Sequence, residues 1–112
     1  SSRFPYVEVL LRVRKLQMQD WAYVDTGFEG FLIVPSFIAF TLGSPDLVSV
    51  WELGDGSPAY GADFLGEIEI VGLGRTVRGH LTCLGDEWVL GLGGLNHCEV
   101  IFDHGQRIEV RI

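Results

Sequence analysis

The sequence predicts an all-β domain with one short helix, and three observations predict it. Apolar residues recur with a period of two along most of the chain, as in strands that bury one face. Glycine-rich turns interrupt that alternation at short intervals. Only residues 36–42 carry the punctuation of a helix, with Pro35 before them and Gly43 after. Short strands with frequent turns imply a barrel or sandwich-like core. At 112 residues, the expectation is a single domain over 1–112.

In the first segment Val7, Val9, Leu11 and Val13 share one face, while Glu8, Arg12 and Arg14 share the other with Leu10 among them. Residues 21–24 are apolar throughout and end at Asp25-Thr26-Gly27. Residues 31–34 form a second apolar run, and both runs are expected to be strands buried on both faces. A strand over 48–53 reaches the turn cluster Gly54-Asp55-Gly56-Ser57-Pro58. A long strand over 60–71 follows, with Phe64, Ile68 and Ile70 on one face and Glu67 and Glu69 on the other. Beyond Gly72-Leu73-Gly74, Val77, Leu81 and Cys83 alternate with Arg78, His80 and Thr82. A short apolar strand over 88–90 ends at Gly91, and 92–96 has room for a helical turn. Strands over 99–102 and 107–112 flank a hairpin turn at Asp103-His104-Gly105-Gln106. The two halves share a loose plan, since an apolar strand runs into glycine at Gly27 and again at Gly91.

Composition excludes several classes. Fifteen acidic against eight basic residues give a net charge of −7. That argues against nucleic acid and against anionic membrane surfaces, both of which need clustered Lys and Arg. No apolar run approaches the ~20 residues that span a bilayer. The N-terminus leads directly into an alternating strand, so no signal peptide is expected. Cys83 and Cys98 form no CxxC pair, and Cys83 reads as a small core hydrophobe. A reducing, cytoplasmic location is the expectation, with a Cys83–Cys98 disulfide as the alternative. His80, His97 and His104 lack metal-ligand spacing, so no metal and no cofactor are expected. Gly91-Leu92-Gly93-Gly94 is not followed by GK[ST] and does not complete a phosphate loop. Trp21, Trp51 and Trp88 read as core or interface aromatics.

Asp25-Thr26-Gly27 is the candidate for chemistry. A tripeptide of this kind arises by chance in a few per cent of chains of this length at roughly ordinary composition. Its context adds to it, because a carboxylate between two apolar runs is costly unless it is used or well paired. The Thr26 hydroxyl is suited to bracing the loop, and Gly27 allows close backbone approach.

The stretch from Tyr23 through Asp25-Thr26-Gly27-Phe28-Glu29-Gly30 to Pro35 resembles the catalytic loop and following strand of retropepsin-like, clan AA aspartic proteases, most of all the small single-domain prokaryotic members. Leu53-Gly54-Asp55-Gly56-Ser57 resembles their flap, and Trp88-Val89-Leu90-Gly91-Leu92-Gly93 their second signature. Residues 108–112 match the place where family members form part of their dimer interface. The resemblance implies a retropepsin-like closed β-barrel-type domain, active as a symmetric homodimer. It implies an endopeptidase with Asp25 catalytic, braced by Thr26 and Gly27. A peptide or protein substrate would lie against Phe28, Glu29, Gly54, Asp55, Gly56, Ser57, Val89 and Leu90. The chain has one such motif, so the second carboxylate must come from Asp25 of a second copy.

Phe28 stands where the family usually has a small residue, and Glu29 where it has Ser, Thr or Asp. Leu92 follows Gly91, where retroviral enzymes carry an Arg that braces this region through an ion pair. Phe28 motivates the alternative reading, a weak or inactive retropepsin-fold dimer that serves as a peptide-binding or assembly module.

Overall fold

A computed structural model describes residues 5–52, 55–95, 99–103 and 107–111. Gly54, His97, Cys98 and His104 lie outside the described residues. The elements run β1 (Tyr6–Val13), β2 (Leu16–Val24), β3 (Leu32–Val34), α1 (Ile38–Leu42), β4 (Leu47–Glu52), β5 (Pro58–Ile70), β6 (Thr76–Cys83), β7 (Val89–Leu90), α2 (Leu92–Leu95), β8 (Glu99–Asp103) and β9 (Arg107–Arg111).

Period-two patterning builds β1 as expected: Val7, Val9, Leu11 and Val13 are each at most 3% exposed. β5 buries Phe64, Ile68 and Ile70 in the same way. The helix expected over 36–42 begins at Ile38, because Pro35, Ser36 and Phe37 form the turn that enters it. Gly43 ends it at a φ of 87°, which glycine adopts without a Cβ clash. The helical turn expected over 92–96 is α2, over Leu92–Leu95, so the described residues contain two short helices.

The sheet order is β1-β2-β7-β3-β6-β5-β4, and a further β1–β5 pairing joins the two sides. Six strands therefore close into a barrel, with β4 outside it. Closure leaves those six without a free edge. β5 serves two structures at once. Its first half pairs with β4 as a projecting hairpin, and its second half pairs with β1 inside the barrel wall. β8 and β9 form a separate antiparallel pair.

The barrel core holds Phe64, Leu11, Leu32, Ile38, Ile68, Leu81 and Leu90, all less than 2% exposed or at that value. Truncating such a side chain to Ala costs about 2–5 kcal/mol.

Two expectations from the hydrophobic patterning fail locally. Tyr23 is 40% exposed rather than buried, because β2 alternates and Tyr23 sits edge-on to Tyr6 at 5.6 Å on the outer face. Thr82, expected outward, is 5% exposed, because its hydroxyl donates to Asp63 Oδ1 at 2.9 Å beneath the β4–β5 hairpin.

Candidate active site

β2 and β7, the two apolar strands that each run into a glycine turn, lie side by side and parallel, with Tyr23 opposite Val89 and Val24 opposite Leu90. Asp25 follows directly on β2. Its N–H donates to the Leu90 carbonyl at 3.0 Å, which extends that ladder by one rung. The Phe28 N–H donates to the Asp25 carbonyl at 3.2 Å and closes the turn. Asp25 Oδ1 accepts the Gly27 N–H at 2.9 Å, so the half-buried carboxylate is held by its own loop. A Cβ at Gly27 would lie 3.2 Å from that oxygen, so glycine leaves it room.

The loop is stitched to the segment after β7 by backbone bonds. Leu92 N–H donates to the Phe28 carbonyl at 2.8 Å, Gly93 N–H to the Gly30 carbonyl at 3.0 Å, and Gly91 N–H to the Phe31 carbonyl at 3.1 Å. Gly91 makes this approach possible: a Cβ there would sit 2.3 Å from the Gly30 carbonyl oxygen. Glu29 is exposed and Leu92 is uncharged, so the tie between this loop and the turn after β7 runs through the backbone.

Thr26 is exposed, and the hydrogen bonds that hold the loop run through Asp25, Phe28 and the backbone rather than through its hydroxyl. The Phe28 ring lies against Gly30 and Gly91 and meets the Trp51 ring at 5.5 Å. Trp51 belongs to β4 and pairs with Ala59 close to the hairpin turn, so this contact brings the turn end of the β4–β5 hairpin to the loop that carries Asp25. Leu90, read as touching substrate, is wholly buried in the barrel and contributes its backbone carbonyl instead. Val89 is half-buried.

At the hairpin turn, Asp55 Oδ1 accepts both the Ser57 N–H at 2.9 Å and the Ser57 hydroxyl at 2.5 Å. These bonds, the hydroxyl's first, hold the Asp55 carboxyl below its usual range. Gly56 follows at a φ of 84°, a left-handed turn that suits glycine.

The sequence did not single out the network behind Trp51. Its indole N–H donates to Ser49 Oγ at 2.8 Å, and Ser49 Oγ donates to Asp63 Oδ1 at 2.8 Å. The same Asp63 oxygen accepts the Thr82 hydroxyl at 2.9 Å. The only signal was the polar Ser49 set between the apolar residues of β4. Among the described residues no three His, Cys, Asp or Glu side chains converge as metal ligands would. No helix among them is long and apolar enough to cross a membrane.

No protein-family model matches the chain, and no curated protein matches its sequence. The solved structures do contain a similar fold. The solution structure of the simian foamy virus (mac) protease superposes with a TM-score of 0.55 at 14% identity, covering 81% of this chain and 91% of that one. That coverage takes in nearly all of the viral chain, while the identity is low enough that the likeness speaks for the fold alone. The chain has an all-β, retropepsin-like fold.

Proposed function

We propose that the protein is an aspartic endopeptidase, active as a homodimer in which Asp25 of each copy forms the catalytic dyad. The observation that carries this reading is Asp25 itself: a carboxylate at the tip of β2, fixed through one oxygen by Gly27, in a loop sewn to the facing glycine turn. The retropepsin-like fold supports it.

Two carboxylates at hydrogen-bond distance share one proton, because both cannot ionise at low cost. The ionised member takes a proton from a water, whose oxygen attacks the scissile carbonyl carbon. The protonated member gives its proton to the carbonyl oxygen. Collapse of the tetrahedral intermediate breaks the C–N bond, and the amine leaves with a proton from the dyad. The β4–β5 hairpin, with Gly56 at its turn, is suited to cover an extended peptide and exclude water.

The experiment is cleavage of a mixed peptide library by wild type and Asp25→Asn, with sedimentation to read the assembly. Cleavage that rises with dimer concentration, is lost in Asp25→Asn and is blocked by a statine-type analogue supports the reading. Cleavage that survives Asp25→Asn overturns it. The second reading, a peptide-capturing dimer without cleavage, is favoured by the bulk of Phe28 against Trp51. A dimer that binds library peptides and leaves them intact from acidic to neutral pH is its signature.

A further inference from the structure

The end of the barrel away from Asp25 concentrates positive charge in a chain whose net charge is −7. β1 and β2 meet there in a turn at Arg14 and Lys15, and strand rise places it roughly 30 Å along β2 from Asp25. Two cavities of about 320 and 350 Å³ open at this end, and Arg14 lines both.

Arg14 is fixed in place. It takes a left-handed φ of 53°, uncommon for a residue with a Cβ. Its guanidinium donates to the Leu42 carbonyl at 2.6 Å and to Asp46 Oδ1 at 3.1 Å, and it lies 4.7 Å over the Phe64 ring. It is a rigid partition whose own charge is largely satisfied.

The cations on either side are less fully matched. In the larger cavity Arg12, Glu67 and Arg78 stand in one cross-strand row, since Arg12 is opposite Glu67 and Glu67 is opposite Arg78. Glu67 approaches Arg12 only to 3.8 Å, and Arg78 has no ion pair among the described residues. Lys15, in the smaller cavity, has none there either. The smaller cavity is otherwise walled by Leu16, Thr41 and Leu42.

We propose that these adjoining cavities dock an acidic, leucine-bearing segment of another protein. Carboxylates of the segment lie over Arg12 and Arg78, and an apolar side chain enters between Leu16 and Leu42 past the Arg14 partition. Guanidinium forks match carboxylates in bidentate geometry, and the aliphatic wall gives a side chain something to bury. A nucleic acid fits less well, because a phosphate chain offers nothing to the Leu16–Leu42 wall. The site is separate from Asp25 and does not depend on the protein being a protease.

The test uses the full chain carrying Asp25→Asn, so that no proposed cleavage consumes the probe. Fluorescence anisotropy follows a short labelled peptide alternating Glu and Leu. Salt-sensitive binding is expected, with the matched Gln–Leu peptide and inorganic polyphosphate both weaker. The paired change Arg12→Ala and Arg78→Ala weakens binding by about tenfold or more, with circular dichroism unchanged. Glu67→Gln removes the competing internal carboxylate and tightens binding, a gain that misfolding cannot produce. Absence of binding, equal affinity for the Gln–Leu peptide, preference for polyphosphate, or indifference to these substitutions overturns the proposal. Loss of cleavage in wild-type protein would leave this result untouched, so the two readings fail separately.

Discussion

The ring of Phe28 meets that of Trp51 at 5.5 Å between centroids and 52° between planes, which joins the loop carrying Asp25 to the strand that raises the hairpin. Phe28 is half-buried, so part of it remains exposed in the loop that also carries Asp25. Under the proposed function it forms a wall of the cleft that leaves room only for small side chains. Phe28→Ala should cost about 1 kcal/mol from loss of the aromatic pair. It should also raise kcat/KM for substrates with a bulky residue next to the scissile bond by about tenfold or more relative to small-residue substrates. Competition between two library peptides differing at that residue measures the ratio. An unchanged ratio places Phe28 outside the cleft.

Gly91 admits no side chain. A Cβ would fall 2.3 Å from the Gly30 carbonyl oxygen and 2.7 Å from that of Phe28, and both are backbone atoms that cannot swing aside. Gly91→Ala should therefore push the Asp25 loop off the turn after β7. Overpacking of this kind costs about 3 kcal/mol, which lowers Tm by roughly 10–20 °C. Thermal unfolding followed by circular dichroism reads it directly. The exposed turn between β5 and β6 offers a control: Gly72, with nothing within 4 Å of a built Cβ but a φ of 94°, should lose less on the same change.

Asp63 gathers Ser49 and Thr82 on one oxygen, and Ser49 in turn holds the Trp51 indole. Asp63→Ala would leave the buried Thr82 hydroxyl without its acceptor, at about 1–3 kcal/mol. Asp63→Asn keeps a carbonyl oxygen in the same place and should recover most of that loss. The denaturation midpoints of the two variants decide between them. Equal loss in both would mean that the charge, rather than the acceptor geometry, matters.

Much of this was readable in the chain itself. Alternation in β1, broken only by Leu10, predicted a one-sided strand, and Gly43 and Gly91 marked real ends. Burial, however, depends on what covers a face, and period alone does not reveal it. Tyr23 belongs to an apolar run but lies on the outer wall, where Tyr6 partly shelters it. Thr82 looks polar and outward, yet the β4–β5 hairpin folds over it. Likewise the sequence located Asp25, while the tie from Asp25 N–H to the Leu90 carbonyl spans most of the chain and follows only from the parallel pairing of β2 with β7. The Arg14 bonds to Leu42 and Asp46, 28 and 32 residues away, are equally silent in the sequence.

Cys83 provides the last prediction. It is a free thiol, 3% exposed, and burial, helped by the nearby Asp63 carboxylate, raises its pKa from 9.0 to about 11. Only the thiolate attacks an alkylating reagent, so the folded protein should react very slowly at neutral pH. In a Cys98→Ser background, labelling of Cys83 then reports unfolding, and its rate should rise sharply through the thermal transition. The same shift gives a sign for alkaline stability. The fold favours the protonated thiol, so its contribution is complete below 9.0 and is lost as pH rises through about 11. Cys83→Ser has no such titration in this range, so the wild-type and variant stabilities should converge as pH climbs from 9.0 towards 11. Parallel urea titrations across that window measure the convergence, and a constant gap would mean that the thiolate is tolerated where the structure puts it.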